Sequence, residues 1–363
     1  MKIILYSDAQ INEFKTYSKL TPEGINDRLI DHINVLEQIS DYAVDNQIKK
    51  ILFLGDGFDS RGTVSVIAAK LVLNWKHKVS ELGIEQFDLV GNHDLVNKSG
   101  THNSLDLFAK LKNVKVIATP QWVITNDYAV YYIPYMHRTS EIREALQNCE
   151  PPVSVDKKKS LCLMHYGLFD TEINGRVIVE DKGIDSEGQV RLSDLDKILG
   201  YVQNVFLGHY HTHASYNGNV HYVGTPLQHN WGEASLPGRF IVVDFDNGTF
   251  EAVLTKAPRF IDFDSPNISP TLIEGNFCRA TVNSLEEREA KTKYFLDNGA
   301  RAADVTVLNK KKTAVSKTNI NLGMSFSDMG KKLLDVDNLS GYDRKRLEEI
   351  MANALDYAAN KTL

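Results

Sequence analysis

Short apolar runs that stop abruptly at glycine, asparagine, aspartate or histidine constrain this chain more than any other feature. Ile3-Ile4-Leu5-Tyr6 gives way to Ser7-Asp8-Ala9-Gln10, and Ile51-Leu52-Phe53-Leu54 to Gly55-Asp56-Gly57-Phe58-Asp59. Phe87-Asp88-Leu89-Val90 gives way to Gly91-Asn92-His93-Asp94. Further on, Leu161–Met164 ends on His165-Tyr166-Gly167, and Val205–Leu207 on Gly208-His209-Tyr210-His211. Between the first three runs lie helical patterns. Leu29, Ile33, Leu36, Ile39 and Ala43 recur at three- and four-residue steps, as do Val64, Ile67, Ala68, Leu71 and Trp75. Strand–helix–strand repetition predicts an open sheet with helices on both faces.

From Ala129 the strands come faster, at Ala129–Ile133, Leu161–Met164, Val205–Leu207, Val220–Val223 and Phe240–Phe245. This grouping predicts a second sheet, and so an α/β fold of two stacked sheets flanked by helices. A chain of 363 residues is also long for one compact domain. The expected division is a main domain over 1–257, a small β-α-β unit over 258–309, and a linker with a helical tail over 310–363. In that tail Leu347, Ile350, Met351, Ala354, Leu355 and Ala358 share one helical face, which must be buried on the body or on a partner.

Composition narrows the function classes. With 42% hydrophobic and 24% charged residues, the chain is neither disordered nor fibrous. No run approaches the roughly 20 apolar residues of a membrane helix. The N-terminus lacks the charged–apolar–small layout of a signal peptide. Cys149, Cys162 and Cys278 form no C-x-x-C pair, which fits reduced thiols in a cytoplasmic protein. The net charge of −6 argues against a purely electrostatic nucleic-acid binder, though not against an enzyme acting on nucleic acid. Residues 309–363 carry 10 Lys/Arg against 7 Asp/Glu, a basic tail on an acidic body.

A single polar cluster at a strand exit reads as a helix cap or a turn. Five of them, mixing Asp, Asn and His where open α/β sheets place their sites, point to a dinuclear metal centre. Two divalent ions need several oxygen and imidazole ligands and one anionic oxygen between them. The H-x-H spacing turns His209 and His211 to the same side of an extended segment. Ions about 3.5–4 Å apart would hold a hydroxide and clamp a phosphate in line for attack. His93 beside Asp94 suits protonation of a leaving oxygen.

These clusters, in this order, resemble the calcineurin-like metallophosphoesterase superfamily, with its D-x-H, G-D-x-x-D, G-N-H-D, lone His and G-H-x-H motifs. Within it the chain is similar to SbcD-type DNA repair nucleases, including bacteriophage versions. His165-Tyr166-Gly167, the run Tyr222-Val223-Gly224-Thr225-Pro226 after Gly208–His211, and a small capping unit carry that likeness. The resemblance implies that Asp8 and His211 bind the first metal and that Asp56 bridges. It gives Asn92, His165 and His209 to the second metal, and transition-state stabilisation and proton donation to His93, oriented by Asp94. Asp59 is expected to support the site from behind the ligands, and His213 is a candidate substrate contact.

The chain departs from the family at Gln10, where the family carries the histidine of D-x-H. A neutral amide oxygen is a weaker donor than imidazole, so the first metal is expected to be held weakly and to favour manganese or magnesium over iron or zinc. Gln10→His should then raise affinity for that ion, which a calorimetric metal titration checks. The resemblance further implies DNA as substrate, an SbcC-type coiled-coil ATPase as partner, and a homodimer. Two other readings stand beside this one: a small-nucleotide metallophosphodiesterase, and a non-catalytic module of a DNA-processing complex.

Overall fold

The computed structural model describes residues 1–308 except 98–99, 174–175, 179–188 and 235. The expected linker and tail from 310, with Lys310–Lys312, Arg344–Arg346 and the 343–360 helix, lie outside the described residues. Met1–Thr306 form one compact unit.

In chain order the first half holds β1 (Lys2–Tyr6), α1 (Asp27–Asp45), β2 (Lys50–Phe53), α2 (Val66–Glu81), β3 (Glu85–Leu89), β4 (Val114–Ile117), β5 (Gln121–Ile124), β6 (Ala129–Ile133) and α3 (Thr139–Gln147). Next come β7 (Ser160–His165), β8 (Gly167–Phe169), β9 (Glu172–Ile173), β10 (Arg176–Val177), β11 (Gln189–Arg191), α4 (Asp196–Leu199), β12 (Asn204–Gly208), β13 (Ala214–Tyr216) and β14 (Val220–Tyr222). The last described part holds β15 (Arg239–Asp244), β16 (Thr249–Leu254), β17 (Phe260–Asp262), β18 (Phe277–Val282), α5 (Leu285–Asp297) and β19 (Ala302–Val307).

Two six-stranded sheets result, ordered β16-β15-β1-β2-β3-β4 and β13-β14-β12-β7-β6-β5. The strands β1 to β4 run parallel, as do β6, β7, β12 and β14. Such strands are buried on both faces, and their side chains alternate between two cores. Ile3, Leu5, Leu52, Leu54 and Leu89 meet Val130, Tyr132, Leu161, Leu163 and Phe206 in the layer between the sheets. Their neighbours Ile4, Tyr6, Ile51 and Phe53 join Leu29, Leu36, Ile39 and Trp75 of the helices in the other core.

The strand Phe240–Phe245 belongs elsewhere than the sequence order suggests. As β15 it pairs antiparallel with β1 and so closes the first sheet, not the second. Its residues are apolar on both faces, with Phe240 and Val242 in one core and Ile241 and Val243 in the other, so local pattern holds no clue to its sheet.

The helices α1, α2 and α5 begin where a polar side chain satisfies a free amide. Asn26 accepts from the backbone amides of Arg28 and Leu29 at the start of α1, and Ser65 from that of Ala68 at the start of α2. The buried face of α2 is rotated from the expected one. Ala68, Val72, Trp75, Lys76 and Val79 face inward, Ile67 is exposed, and Val64 precedes the helix. Lys76 finds its partner on that face in Asp88 of β3. The aspartate points to the helix side, and Lys76 Nζ reaches both of its carboxylate oxygens at 2.7 and 2.8 Å in a fully buried pair.

Residues 260–307 form a three-stranded sheet, β17-β18-β19, with α5 packed on it through Phe295. Arg301, just before β19, reaches across to Asp27 and Asp31 of α1. All three cysteines are buried free thiols. No described helix is long and apolar enough to cross a membrane.

Candidate metal centre

All five clusters arrive at one edge of the sandwich, at the carboxyl ends of β1, β2, β3, β7 and β12. Parallel pairing brings this about: β12 and β7 are in register with Gly208 opposite His165, and β1 lies beside β2. The loops are then stitched together. Asp8 N–H donates to the Gly55 carbonyl, and Gln10 N–H to that of Asp56, both at 2.9 Å. The backbone is held in the left-handed region at Asp8 (φ 52°), Gln10 (φ 38°), Asp56 (φ 62°) and His209 (φ 96°). Non-glycine residues rarely adopt such angles, and they collect where function holds side chains in place.

His165 is the buried pivot. Its Nδ1 meets the Leu54 carbonyl at 2.6 Å, which places the ring proton on Nδ1 and leaves the Nε2 lone pair facing the site. Nε2 then lies 3.2 Å from Asp56 Oδ2 and 3.0 Å from Asn92 Oδ1. Asn92 Oδ1 is also 3.0 Å from His209 Nδ1. His209 N–H donates to both oxygens of Asp8 at 3.1 Å, and His211 Nε2 stands 4.0 Å from Asp8 Oδ1. Ligand atoms of Asp8, Asp56 and His165 all lie within 4.8 Å of one another.

This arrangement fits a divalent cation. Asn92 turns its carbonyl oxygen toward two imidazole nitrogens and a carboxylate, so that electron-pair donors face one another. The opposite amide orientation would donate to all three and accept from Arg61 Nη2 at 3.0 Å. As the amide stands, oxygen, nitrogen and carboxylate donors converge, and that is the donor set of a borderline or hard metal.

The charges answer to one another. Burial opposes ionisation of Asp56, but His165 outweighs it and holds that carboxyl below the usual range. Burial likewise works against a charged His165, yet Asp56 raises it to about 9, so without an ion Nε2 holds a proton that a bound cation would displace to free the lone pair. Burial drives His209 down to about 3, with His165 adding to the effect. Burial raises the Asp8 carboxyl above its ordinary value, against the pull of His165 and His211.

His93 and Asp94 divide their work differently from the reading of an imidazole oriented by the adjacent carboxylate. His93 Nδ1 bonds the Asp59 carbonyl at 2.5 Å, and His93 N–H donates to Asp56 Oδ1 at 2.8 Å. Asp94 instead accepts from the backbone amides of Asp56, Gly57 and Gly91, each at 2.9 Å, and from Ser104 Oγ at 3.2 Å. A carboxylate collecting those donors ties the second motif to the third. Burial and the charge of Asp56 push it up to about 6 against those amides. Asp59 holds Asn12 Nδ2 at 2.7 Å, behind the ligands. His213 is exposed just before β13, within reach of the Arg239 charge.

Three residues join the site that sequence reasoning missed. Glu233 bonds His211 Nδ1 at 2.6 Å, His229 Nε2 meets the Asp8 carbonyl at 3.0 Å, and Arg61 Nη2 stands 3.0 Å from the outer end of the Asn92 amide without bonding it in this orientation. None lies in a recognisable motif. Glu233 is 22 residues beyond His211 and comes close only through the turn after Thr225-Pro226.

Close approach explains the glycines that open the motifs. A Cβ on Gly208 would fall 2.1 Å from Ser7 Oγ and 2.7 Å from His165 Nδ1. On Gly91 it would fall 2.3 Å from Asp56 Oδ1. Gly208→Ala should therefore cost about 1–3 kcal/mol of stability through overpacking, read as a lowered urea midpoint at unchanged slope.

A two-sheet α/β sandwich that gathers these motifs, in this order, along one edge is the arrangement that the resemblance to the calcineurin-like metallophosphoesterases implies. Its likeness within that superfamily is to the SbcD-type nucleases. In sequence it is 29% identical over 225 residues to exonuclease subunit 1 of enterobacteria phage T4. The match spans 61% of this chain and 60% of that protein, which is less than two thirds of its length. No family model matches the chain. Among solved structures, a dimetal phosphatase from Danio rerio aligns with a TM-score of 0.39 at 9% identity, over 67% of this chain and 91% of its own. Yfce, a phosphoesterase from E. coli, aligns with a TM-score of 0.32 at 11% identity, over 70% and 100%.

Proposed function

We propose that this protein is a metal-dependent phosphodiesterase that cleaves DNA, working as the nuclease subunit of a complex with an SbcC-type ATPase and with a second copy of itself. The convergence of Asp8, Asp56, Asn92, His165, His209 and His211 from five strand ends carries the reading. Similarity to an exonuclease subunit supports DNA as substrate and a partner in a complex.

Asp8, His211 and the amide oxygen of Gln10 would hold a first divalent ion, and Asn92, His165 and His209 a second, with Asp56 shared. Ions bound there would supply a nucleophile at neutral pH and offset charge on the phosphate. Asp56 keeps the anionic charge at the centre and fixes the His93 backbone through its second oxygen. The Asp59 carbonyl orients the His93 ring and leaves Nε2 to carry a proton to the leaving oxygen. Asp94 holds the loops of the second and third motifs at fixed separation. Manganese is the expected ion, since oxygen donors from the four side chains Asp8, Gln10, Asp56 and Asn92 balance the imidazoles.

The test is incubation of linear duplex DNA, and separately of cyclic nucleotides, with the protein and manganese. Degradation of the DNA is expected. Turnover of cyclic nucleotides alone would replace this reading with that of a small-nucleotide phosphodiesterase.

A further inference from the structure

We infer that Glu233 is a positioning residue for the first metal, one that strengthens His211 as a ligand and so offsets the weak donor at Gln10. The inference rests on the metal-centre reading above and concerns a residue that no motif includes.

Glu233 is buried, with 7% of its surface exposed, in the short helical turn Trp231–Glu233. Its two oxygens are separately committed. Oε1 takes His211 Nδ1 at 2.6 Å and the Asn230 side-chain amide at 3.3 Å. Oε2 accepts from the His229 backbone N–H at 2.8 Å. The turn itself is anchored, because Gln228 Nε2 donates to the Glu233 carbonyl at 2.7 Å. His229 Nε2 in turn meets both Thr225 Oγ1 and the Asp8 carbonyl, so the turn is tied to the loop that carries Asp8 and Gln10.

A carboxylate bonded to one imidazole nitrogen does two things to the other. It fixes the tautomer with the proton on Nδ1, which leaves the Nε2 lone pair free, and it increases the electron density of the ring. His211 Nε2 is the atom on the Asp8 side. The first site therefore loses donor strength at Gln10 and regains it through the Glu233–His211 pair. His165 receives its proton-fixing bond from a neutral carbonyl, that of Leu54, so the second site has no matching anion behind that ligand.

The test uses full-length protein stripped of metal and titrated with manganese by calorimetry, for the parent, Glu233→Gln, Gln10→His and the double variant. Glutamine keeps the shape but either loses the charge behind Nδ1–H or presents an amide donor to it. Glu233→Gln is expected to weaken the weaker class of site by about 10–100-fold and to leave the tighter class unchanged. Gln10→His in the same chain is expected to restore most of that loss. Parental affinity at both classes in Glu233→Gln would overturn the proposal. Equal weakening of both classes with a lowered melting temperature of the stripped protein would also overturn it, in favour of a structural role. A parent that takes up no manganese would overturn the metal-centre reading itself, a different failure visible before any variant is examined.

Discussion

Asp56→Asn is expected to lower manganese-supported DNA cleavage by about 100–1,000-fold, the scale seen when a preorganised charge-stabilising group is lost. The reason is local. Asparagine retains an oxygen for the His93 amide, which Asp56 Oδ1 holds at 2.8 Å, so the loop should keep its course. What disappears is the anionic charge 3.2 Å from His165, on a side chain only 1% exposed. Cleavage rates and melting temperatures of the pair check this together. A large rate loss with a near-parental melting temperature is the expected result, and a rate within tenfold of the parent would remove Asp56 from the centre of the mechanism.

Lys76→Met should be the most damaging single change outside the site. Lys76 and Asp88 are both nearly sealed from solvent, and removing the ammonium leaves a carboxylate stranded in an apolar core beside Trp75 and Phe108. Breaking a buried pair from one side costs about 3–5 kcal/mol. Urea unfolding of Lys76→Met should show that loss. The double variant Lys76→Met, Asp88→Leu should recover much of it, because apolar replacement of the whole pair is often close to neutral. A single variant as stable as the parent would mean that water reaches Asp88.

The same pair shows where sequence and structure part. Periodicity located α2 and the core contacts of Ala68, Leu71 and Trp75, but placed the exposed Ile67 on its inner face and left out Lys76, since an apolar count gives a lysine no inward tendency. Its contact with Asp88 on another element is what gives Lys76 a partner on that face. The site was more legible than the core. Asp8, Asp56, Asn92, His93, His165, His209 and His211 each follow an apolar strand closely, and parallel pairing brings such positions to one edge of the fold. What stayed hidden were the groups behind them. The bond from His93 to the Asp59 carbonyl involves a backbone atom that side-chain chemistry does not mark. Glu233 reaches His211 through a turn whose course depends on Thr225 and Gln228. The strand Phe240–Phe245 was visible as a strand, but its place beside β1 is a long-range pairing that its own residues do not encode.

The central claim is that two ions sit among these side chains, and crystals grown or soaked with manganese test it most directly. Anomalous difference maps should show two peaks about 3.5–4 Å apart. One peak should lie among Asp8, Asp56 and His211, the other among Asp56, Asn92, His165 and His209. A single peak, or peaks away from Asp56, would contradict the account.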